Sequence, residues 1–238
     1  ALIRREIENG ADALLIAACD STVIEDYIRH SGIDIPVIFV QNGLDDNSGQ
    51  WYVSADNYRM GHAIADTIAA NERRWIKAAV IADEMDRKSV EDRFNGVYDP
   101  LSKYVDDVVV WKRNENENDS QTIQFLQREL TEEAVDVVVS LDTDTTEALM
   151  DAVDNLNKDI KIYAIANSDK AVYYLDSGKI KTLLYENDFS IGYIGVGAIM
   201  NRDRYEHDKI AGMIDYEIVN EDNMYSEKFE KLLFPFVK

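Results

Sequence analysis

The sequence predicts an α/β fold built from parallel sheets. Short apolar runs alternate almost throughout with longer segments of helical spacing, which is the pattern of βαβ units with right-handed crossovers. Several runs, such as Val37–Val40 and Val137–Val139, are continuously apolar, as in strands covered on both faces. Only three of the 238 residues are proline, and no Gly/Ser-rich linker is visible. Any division into lobes is therefore not made by a flexible tether.

The first helices and strands are predicted from the residues at their ends and from their apolar content. The opening helix ends at Gly10, and the apolar run 13–17 is too short for a helix, so it is predicted to be a strand. Asp20 and Ser21 are suited to cap a second helix, which stops at Gly32. A strand and then a polar loop follow at residues 36–40 and 41–50.

The stretch Val53–Gly61 joins a strand to a helix through short polar residues. Asp56 and Asn57 are good N-cap residues, and Ile64 and Ile68 then recur at helical spacing. A carboxylate and an amide at the carboxyl end of a strand lie where open α/β sheets bind ligands. The stretch therefore predicts either a binding edge or a plain helix cap.

The rest of the chain continues the alternation. The predicted strands cover residues 77–82, 108–111, 135–141, 160–165, 180–185 and 213–219. The predicted helices cover residues 89–104, 120–130, 145–156, 169–177 and about 189–201.

Composition and charge exclude several classes of protein. With 46 acidic and 25 basic side chains, the formal net charge is −21, which repels phosphate backbones and argues against nucleic-acid binding. The single cysteine, Cys19, has no partner for an internal disulfide. His30, His62 and His207 lack the spacing of metal ligands or of a catalytic triad, so we expect neither a metal nor a cofactor.

One segment has an enzymatic interpretation. Asp142–Thr146 follows an apolar strand and matches the DxDxT pattern of haloacid-dehalogenase-type phosphatases, in which Asp142 would be the nucleophile and Asp144 the general acid. Against this, a helix is predicted to start at Thr145, which leaves no room for the usual flap. The alternative role of both carboxylates is capping and interaction with the helix dipole.

Six segments follow one another in a recognisable order: Gly10–Ile16, Ile35–Val40, Ser54–Asn57 with Gly61, Glu91–Gly96, Val135–Val139 and Ser177–Ile180. Together they resemble the type I periplasmic binding protein family, the fold of ribose-binding protein and of the lactose-repressor effector domain. The resemblance covers nearly the whole chain.

That resemblance implies two Rossmann-like lobes joined by three crossing strands, with the ligand in the cleft between them. The first, N-terminal lobe would contain residues 1–54 and 187–214, and the second would contain residues 55–186 and 215–238. A complete family member begins with a strand, a helix and a strand before the position of Ala1. We therefore expect the first lobe to lack this unit here, and the native protein to contain it.

The resemblance also implies ligand-binding residues. Arg93 matches an arginine that points into the cleft and forks onto sugar hydroxyls, although a surface arginine is the alternative. Asp56 and Asn57 match the first hinge, with Asn57 serving mainly as a helix cap. Gln41 and Asn42 end a strand where family members often carry an Asp-Arg pair. This departure keeps hydrogen-bonding capacity but removes both charges.

Four further positions complete the predicted site. Asp142 follows Leu141, which stands where sugar binders commonly place an asparagine. Asn167 lies where an aspartate commonly accepts from a hydroxyl, and Tyr185 and Glu186 lie at the second hinge, where an amide is usual. Fewer of the family's polar ligands are present than in a typical pentose or hexose binder. We expect a small polar ligand of the carbohydrate class.

Two non-enzymatic roles are compatible with the resemblance. The extracytoplasmic solute-binding component of an ABC transporter would lie in the periplasm or on the cell surface, act as a monomer and deliver its ligand to a membrane permease. The effector-binding domain of a lactose-repressor-type regulator would be cytoplasmic and dimeric. Strong acidity favours the first role, because a regulator must approach DNA.

Overall fold

The computed structural model describes residues 2–18, 21–41, 51–83, 87–114, 117–154, 156, 158–205 and 210–234. The elements in chain order are α1 (Leu2–Glu8), β1 (Leu14–Ile16), α2 (Ser21–His30), β2 (Val37–Val40), β3 (Trp51–Ala55), α3 (Asn57–Asn71), β4 (Lys77–Asp83), α4 (Lys88–Tyr104), β5 (Asp107–Arg113), α5 (Asp119–Glu132), β6 (Val137–Ser140), α6 (Thr143–Asp154), β7 (Lys161–Ile165), α7 (Asp169–Asp176), β8 (Ile180–Glu186), α8 (Asp188–Met200), a 3-10 turn (Arg202–Arg204), β9 (Ala211–Ile214), β10 (Tyr216–Val219) and α9 (Glu227–Leu233).

The chain divides into two units according to which parts of the backbone pack together. Unit 1 comprises Ala1–Asp56, Asp86–Ser89 and Asp188–Asp215. Unit 2 comprises Asn57–Met85, Val90–Asn187 and Tyr216–Lys238. Each unit has its own sheet and its own buried side chains.

Unit 1 contains a four-stranded sheet in the order β1-β2-β3-β9, and all its pairings are parallel. The strand β2 is buried along its whole length. On this sheet a small apolar core includes Leu14, Val37 and Phe39, against which Ile3 of α1 and Ile24 of α2 pack. The apolar spacing of these two short helices is what directs them onto the sheet.

The helix α8 packs on the same unit through a glycine and is apolar all around. A Cβ atom at Gly195 would lie 2.7 Å from Cδ1 of Leu15, so the absence of a side chain there lets α8 approach β1. Away from that contact, α8 exposes a row of large apolar side chains at helical spacing: Phe189, Tyr193, Val196 and Met200.

Unit 2 contains a six-stranded sheet in the order β10-β8-β7-β6-β4-β5. The pairings among β8, β7, β6, β4 and β5 are parallel, and β10 joins β8 antiparallel. The predicted α/β fold with parallel sheets is confirmed. The inner strands β6 and β7 are buried almost along their whole length and are mostly apolar, as expected where a parallel sheet is covered on both faces. The edge strand β5 is partly exposed and begins and ends with charged residues.

The core of unit 2 is the larger one. Its fully buried side chains include Leu126 and Leu130 of α5, Leu149 and Met150 of α6, and Leu175 of α7. Each of these leucines would contribute roughly 1.5–3 kcal/mol through burial relative to exposure. This packing holds the strands whose carboxyl ends form the site described below.

Two predicted elements differ from the structure, and one helix was not predicted. The single strand predicted over residues 213–219 is wrong, because Asp215 separates β9, which pairs with β3, from β10, which pairs with β8. An apolar run in the sequence does not indicate which sheet the strand will join. The helix predicted from Thr145 begins at Thr143, and α9 was missed although Phe229 and Leu233 carry an i,i+4 spacing.

Candidate functional site

Two glycines bring the helices α3 and α4 of unit 2 into backbone contact. A Cβ atom at Gly61 would lie 2.1 Å from the carbonyl oxygen of Arg93, and one at Gly96 would lie 2.1 Å from the carbonyl oxygen of Tyr58. Any side chain at either position would overlap the facing backbone. The close approach therefore requires glycine on both helices, and it places the first turn of α3 beside Arg93.

The Arg93 side chain is held by three acceptors within unit 2. Its Nε donates to Oδ1 of Asn57 at 2.7 Å, Nη1 donates to the carbonyl oxygen of Leu141 at 3.0 Å, and Nη2 donates to Oε2 of Glu186 at 3.2 Å. Arg93 is only 8% exposed and Glu186 only 5%. The planar guanidinium suits such an arrangement, since its donors have a fixed geometry.

These partners come from the ends of different elements. Asn57 is the first residue of α3, Leu141 follows β6, and Glu186 is the last residue of β8. Because β6 and β8 run parallel through β7, their carboxyl ends lie at the same edge of the sheet. Ligands of open α/β sheets bind at that edge. Asn57 therefore contributes a contact to Arg93, in addition to its position at the start of the helix.

Asp142 lies at the same edge and is engaged with the helix that follows it. Its Oδ1 accepts from the backbone N–H of Thr145 at 2.9 Å, and its Oδ2 accepts from the Thr145 hydroxyl at 2.8 Å. This is the geometry of a helix N-cap. The hydroxyl of Thr146 donates to the carbonyl oxygen of Asp142 at 2.6 Å and lies 2.8 Å from the hydroxyl of Ser140. The contacts with Thr145 are those of a helix cap, which is the alternative role predicted for Asp142 from the sequence.

Asn167 connects the end of β7 to the start of α6. Its Oδ1 accepts from the hydroxyl of Thr143 at 2.8 Å, and its backbone N–H donates to the same hydroxyl at 3.3 Å. Thr143 was not among the residues that the sequence suggested. Its only sequence signal was its place between two aspartates, shortly after the end of a strand.

Tyr185 and Glu186 are neighbours in β8 and project to opposite faces of the sheet, because side chains alternate along a strand. Tyr185 is half-buried and packs against the hydrophobic core of unit 2. The structure therefore brings Glu186, rather than Tyr185, to Arg93.

The remaining predicted positions belong to unit 1 or lie outside the described residues. Gln41 has a φ of 62° and donates from Nε2 to Oδ1 of Asp188 at 3.0 Å, and its carbonyl oxygen accepts from the hydroxyl of Tyr52 at 2.7 Å. Asp56 is partly buried and directly precedes α3. Asn42 lies outside the described residues.

Two partners in these contacts were not predicted from the sequence, for different reasons. The carbonyl oxygen of Leu141 leaves no trace in a sequence, because every residue carries one. Asp188 had a signal similar to that of Asp56, since it begins α8 two residues after the end of β8.

The described part of the chain offers no cluster of three or more His, Cys, Asp or Glu residues suited to a metal ion. Among the same residues, no helix combines the length and the apolar character that crossing a membrane requires.

Residues 1–202 match the family model of the periplasmic binding protein domain. No curated protein sequence matches the chain.

Many solved structures resemble the chain. A carbohydrate transporter solute-binding protein from Agrobacterium radiobacter, in complex with D-arabinose, is 18% identical with a TM-score of 0.81, covering 98% of this chain and 82% of its own. A solute-binding protein from Agrobacterium vitis with bound α-D-tagatopyranose is 18% identical with a TM-score of 0.84, covering 97% and 82%. A glucose-galactose binding protein from Geobacillus stearothermophilus is 14% identical with a TM-score of 0.80, covering 94% and 81%. At these identities the likeness concerns the fold.

Proposed function

The chain belongs to the periplasmic binding protein domain family, and on that premise we propose that it binds a sugar by closing two lobes around it. In this proposal it is the extracytoplasmic solute-binding component of an ABC transporter. The residues assigned to ligand binding are Arg93, Asp56, Asn57, Gln41, Asn42, Asp142, Asn167, Tyr185 and Glu186.

The observation that carries the proposal is the fixed position of Arg93 at the carboxyl edge of the unit 2 sheet. Asn57, Leu141 and Glu186 accept three of its N–H donors, while a guanidinium has five. The guanidinium thus has two more N–H donors than these three protein acceptors use. A sugar hydroxyl is an acceptor that such donors can engage, and a pre-positioned side chain loses little entropy on binding.

The ligand class is supported by the similar structures. Those from Agrobacterium radiobacter and Agrobacterium vitis hold D-arabinose and α-D-tagatopyranose, both of which are neutral sugars. A polar edge with several hydrogen-bonding side chains is a suitable surface for a ligand made mostly of hydroxyl groups. A neutral monosaccharide is thus the proposed ligand.

The proposal has consequences for location and partners. The protein would act outside the cytoplasm as a monomer, deliver its ligand to the membrane permease of a transporter, and need neither a cofactor nor a catalytic group. The formal net charge of −21 supports this role over that of a regulator, which must approach DNA.

Calorimetry and thermal shift with a panel of neutral sugars test the proposal on the full chain. D-arabinose, D-tagatose, D-allose, D-glucose and D-galactose form the panel. We expect at least one of them to raise the melting temperature of the wild type and Arg93→Ala to abolish that increase.

The matched control is Arg128→Ala, since Arg128 lies exposed on α5 and bonds to its neighbour Glu129. It should leave the sugar response unchanged. Each variant is compared with its own ligand-free melting temperature, so that lost stability is not mistaken for lost binding. A panel without effect on the wild type, or an Arg93→Ala variant that still binds normally, would contradict the proposal.

A further inference from the structure

The positive charge of Arg93 is matched inside the protein. The Nη2 atom of Arg93 and Oε2 of Glu186 form a hydrogen-bonded ion pair at 3.2 Å, and the two side chains are 9% and 6% exposed. An arginine in a binding site usually attracts anions because its charge is permanent. Here a carboxylate is already in contact with it, which removes most of that attraction.

The buried charges at this edge sum to a negative value. Among the buried residues of the described chain, Arg93 is the one cation, and Glu186 and Asp142 are the anions. Asp142 directly follows Leu141, whose carbonyl oxygen accepts from Arg93. The buried charged side chains of the described residues at this edge are therefore one cation and two anions, and burial reduces their screening by solvent.

A neutral sugar and a sugar acid would experience this edge differently. A hydroxyl both donates and accepts, so it can donate to a carboxylate and accept from a guanidinium at the same time. A ligand carboxylate only accepts, and next to Arg93 it would also be repelled by Glu186. Discrimination by such repulsion is a common route to specificity.

We propose that Glu186 is a specificity-determining residue, which admits neutral sugars to the Arg93 edge and excludes their carboxylated counterparts. This inference rests on the proposed function, because it assigns the charge class of the ligand at the same site. Asn57 and Leu141 are the positioning partners, since they fix the guanidinium through neutral acceptors.

Glu186→Gln separates charge from geometry. The amide has the same shape as the carboxylate and keeps an oxygen that accepts from Nη2 of Arg93. The two contacts to Asn57 and Leu141 are untouched by the change. The guanidinium should therefore stay in place while its charge becomes available to an anionic ligand.

The test is calorimetric titration of the full chain with paired ligands: D-galactose and D-galacturonate, D-glucose and D-glucuronate, and D-arabinose and D-arabinonate. The wild type should bind the neutral member of a pair and reject the acid. In Glu186→Gln the preference for the neutral member should fall by about tenfold or more, as expected for charges a few ångströms apart at the effective dielectric of a protein.

Two variants serve as controls. Glu133→Gln makes the same chemical change at the opposite, amino end of the sheet, where Glu133 pairs with Lys77, and it should leave the selectivity unchanged. Glu186→Asp keeps the negative charge and should keep the rejection of acids. It also provides a folded comparison if Glu186→Gln proves unstable.

The outcomes distinguish this inference from the proposed function. A wild type that binds none of these sugars contradicts both. A wild type that binds a neutral sugar, with the same selectivity in Glu186→Gln as in Glu133→Gln, contradicts only the role of Glu186. A wild type that binds an acid as tightly as its neutral partner also overturns it.

Discussion

Arg93 and Glu186 are 93 residues apart in the sequence, and Nη2 of the first donates to Oε2 of the second at 3.2 Å. The arginine lies on α4, and the glutamate ends β8. Both charges are largely removed from water, and the contact between them offsets part of the cost of burying them. The pair thus links the stability of unit 2 to the arrangement of its candidate site.

The first prediction concerns this ion pair. Glu186→Leu should lower the free energy of unfolding by about 3 kcal/mol, because the buried arginine loses the carboxylate that contacts it. The double variant Arg93→Met, Glu186→Leu should lose less than the sum of the two single variants. Chemical denaturation of all four proteins measures the coupling. Additive losses would show that the two charges do not compensate each other.

The second prediction concerns the contact between α3 and α4. Gly61→Ala should lower the free energy of unfolding by about 1–3 kcal/mol, because the new methyl group would meet the carbonyl of Arg93 and force the helices apart. Gly96→Ala should act similarly through the carbonyl of Tyr58. Thermal unfolding provides the measurement.

Gly192 supplies the matched control for both glycine variants. It also lies in a helix, but a Cβ atom there would meet nothing within 4 Å. Gly192→Ala should therefore stabilise the protein by about 0.5–1 kcal/mol, since alanine is the better helix former. Equal effects at Gly61 and Gly192 would contradict the close approach of α3 and α4.

The third prediction distinguishes a helix cap from a phosphatase nucleophile at Asp142. Asp142→Ala should destabilise the protein by about 1 kcal/mol, because the N–H of Thr145 loses its acceptor. Asp142→Asn should be close to the wild type, since asparagine caps equally well. Melting curves and hydrolysis of p-nitrophenyl phosphate are measured side by side. Hydrolysis by the wild type that disappears in Asp142→Asn would instead support a nucleophile.

The fourth prediction concerns the response to acid. A hydrogen bond from Lys179 lowers the pKa of Asp154, and one from the Tyr174 hydroxyl at 3.1 Å adds to it, while partial burial opposes both. The pKa of Asp154 is therefore lower in the folded protein than in the unfolded chain. Its carboxylate stabilises the fold above a pH of about 4, which is the pKa range of an unfolded aspartate. The contribution disappears as the pH falls through the folded pKa.

Asp154→Asn should accordingly lower the melting temperature near neutral pH, and its difference from the wild type should shrink in acid. High salt should also reduce the difference, because Lys179 and Asp154 are both partly exposed. The exposed Asp159 provides a control through Asp159→Asn, which makes the same change of charge. A difference from the wild type that persists unchanged in acid would exclude an electrostatic origin.

The regular elements were predictable because their causes are local. Continuous apolar runs indicated parallel strands, whereas the role expected of Arg93 came from the family resemblance and not from a local pattern. The strand predicted over residues 213–219 was wrong because Met213 and Ile218 are both apolar, although their strands β9 and β10 belong to different sheets. The pairing partner of a strand depends on the rest of the chain, which a local pattern does not contain.

The candidate site was predictable only in part for the same reason. Asp56 and Asn57 were recognisable because strand ends and helix caps share a short stretch of chain. That Asn57 faces Arg93 depends on Gly61 and Gly96, whose role appears only when two helices are in contact. Tyr185 and Glu186 were equivalent in the sequence, and the register of β8 against its neighbours selected Glu186.

The sequence by itself determined the fold class, the acidic surface and the positions at which polar residues meet the ends of strands. Hydrophobic periodicity and capping act over a few residues, so they can be read from one segment at a time. Only the tertiary structure decided that Arg93 would be neutralised by Glu186 and held by Asn57 and Leu141. Those contacts join four separate segments, and the packing of the sheet and its helices is what brings them together.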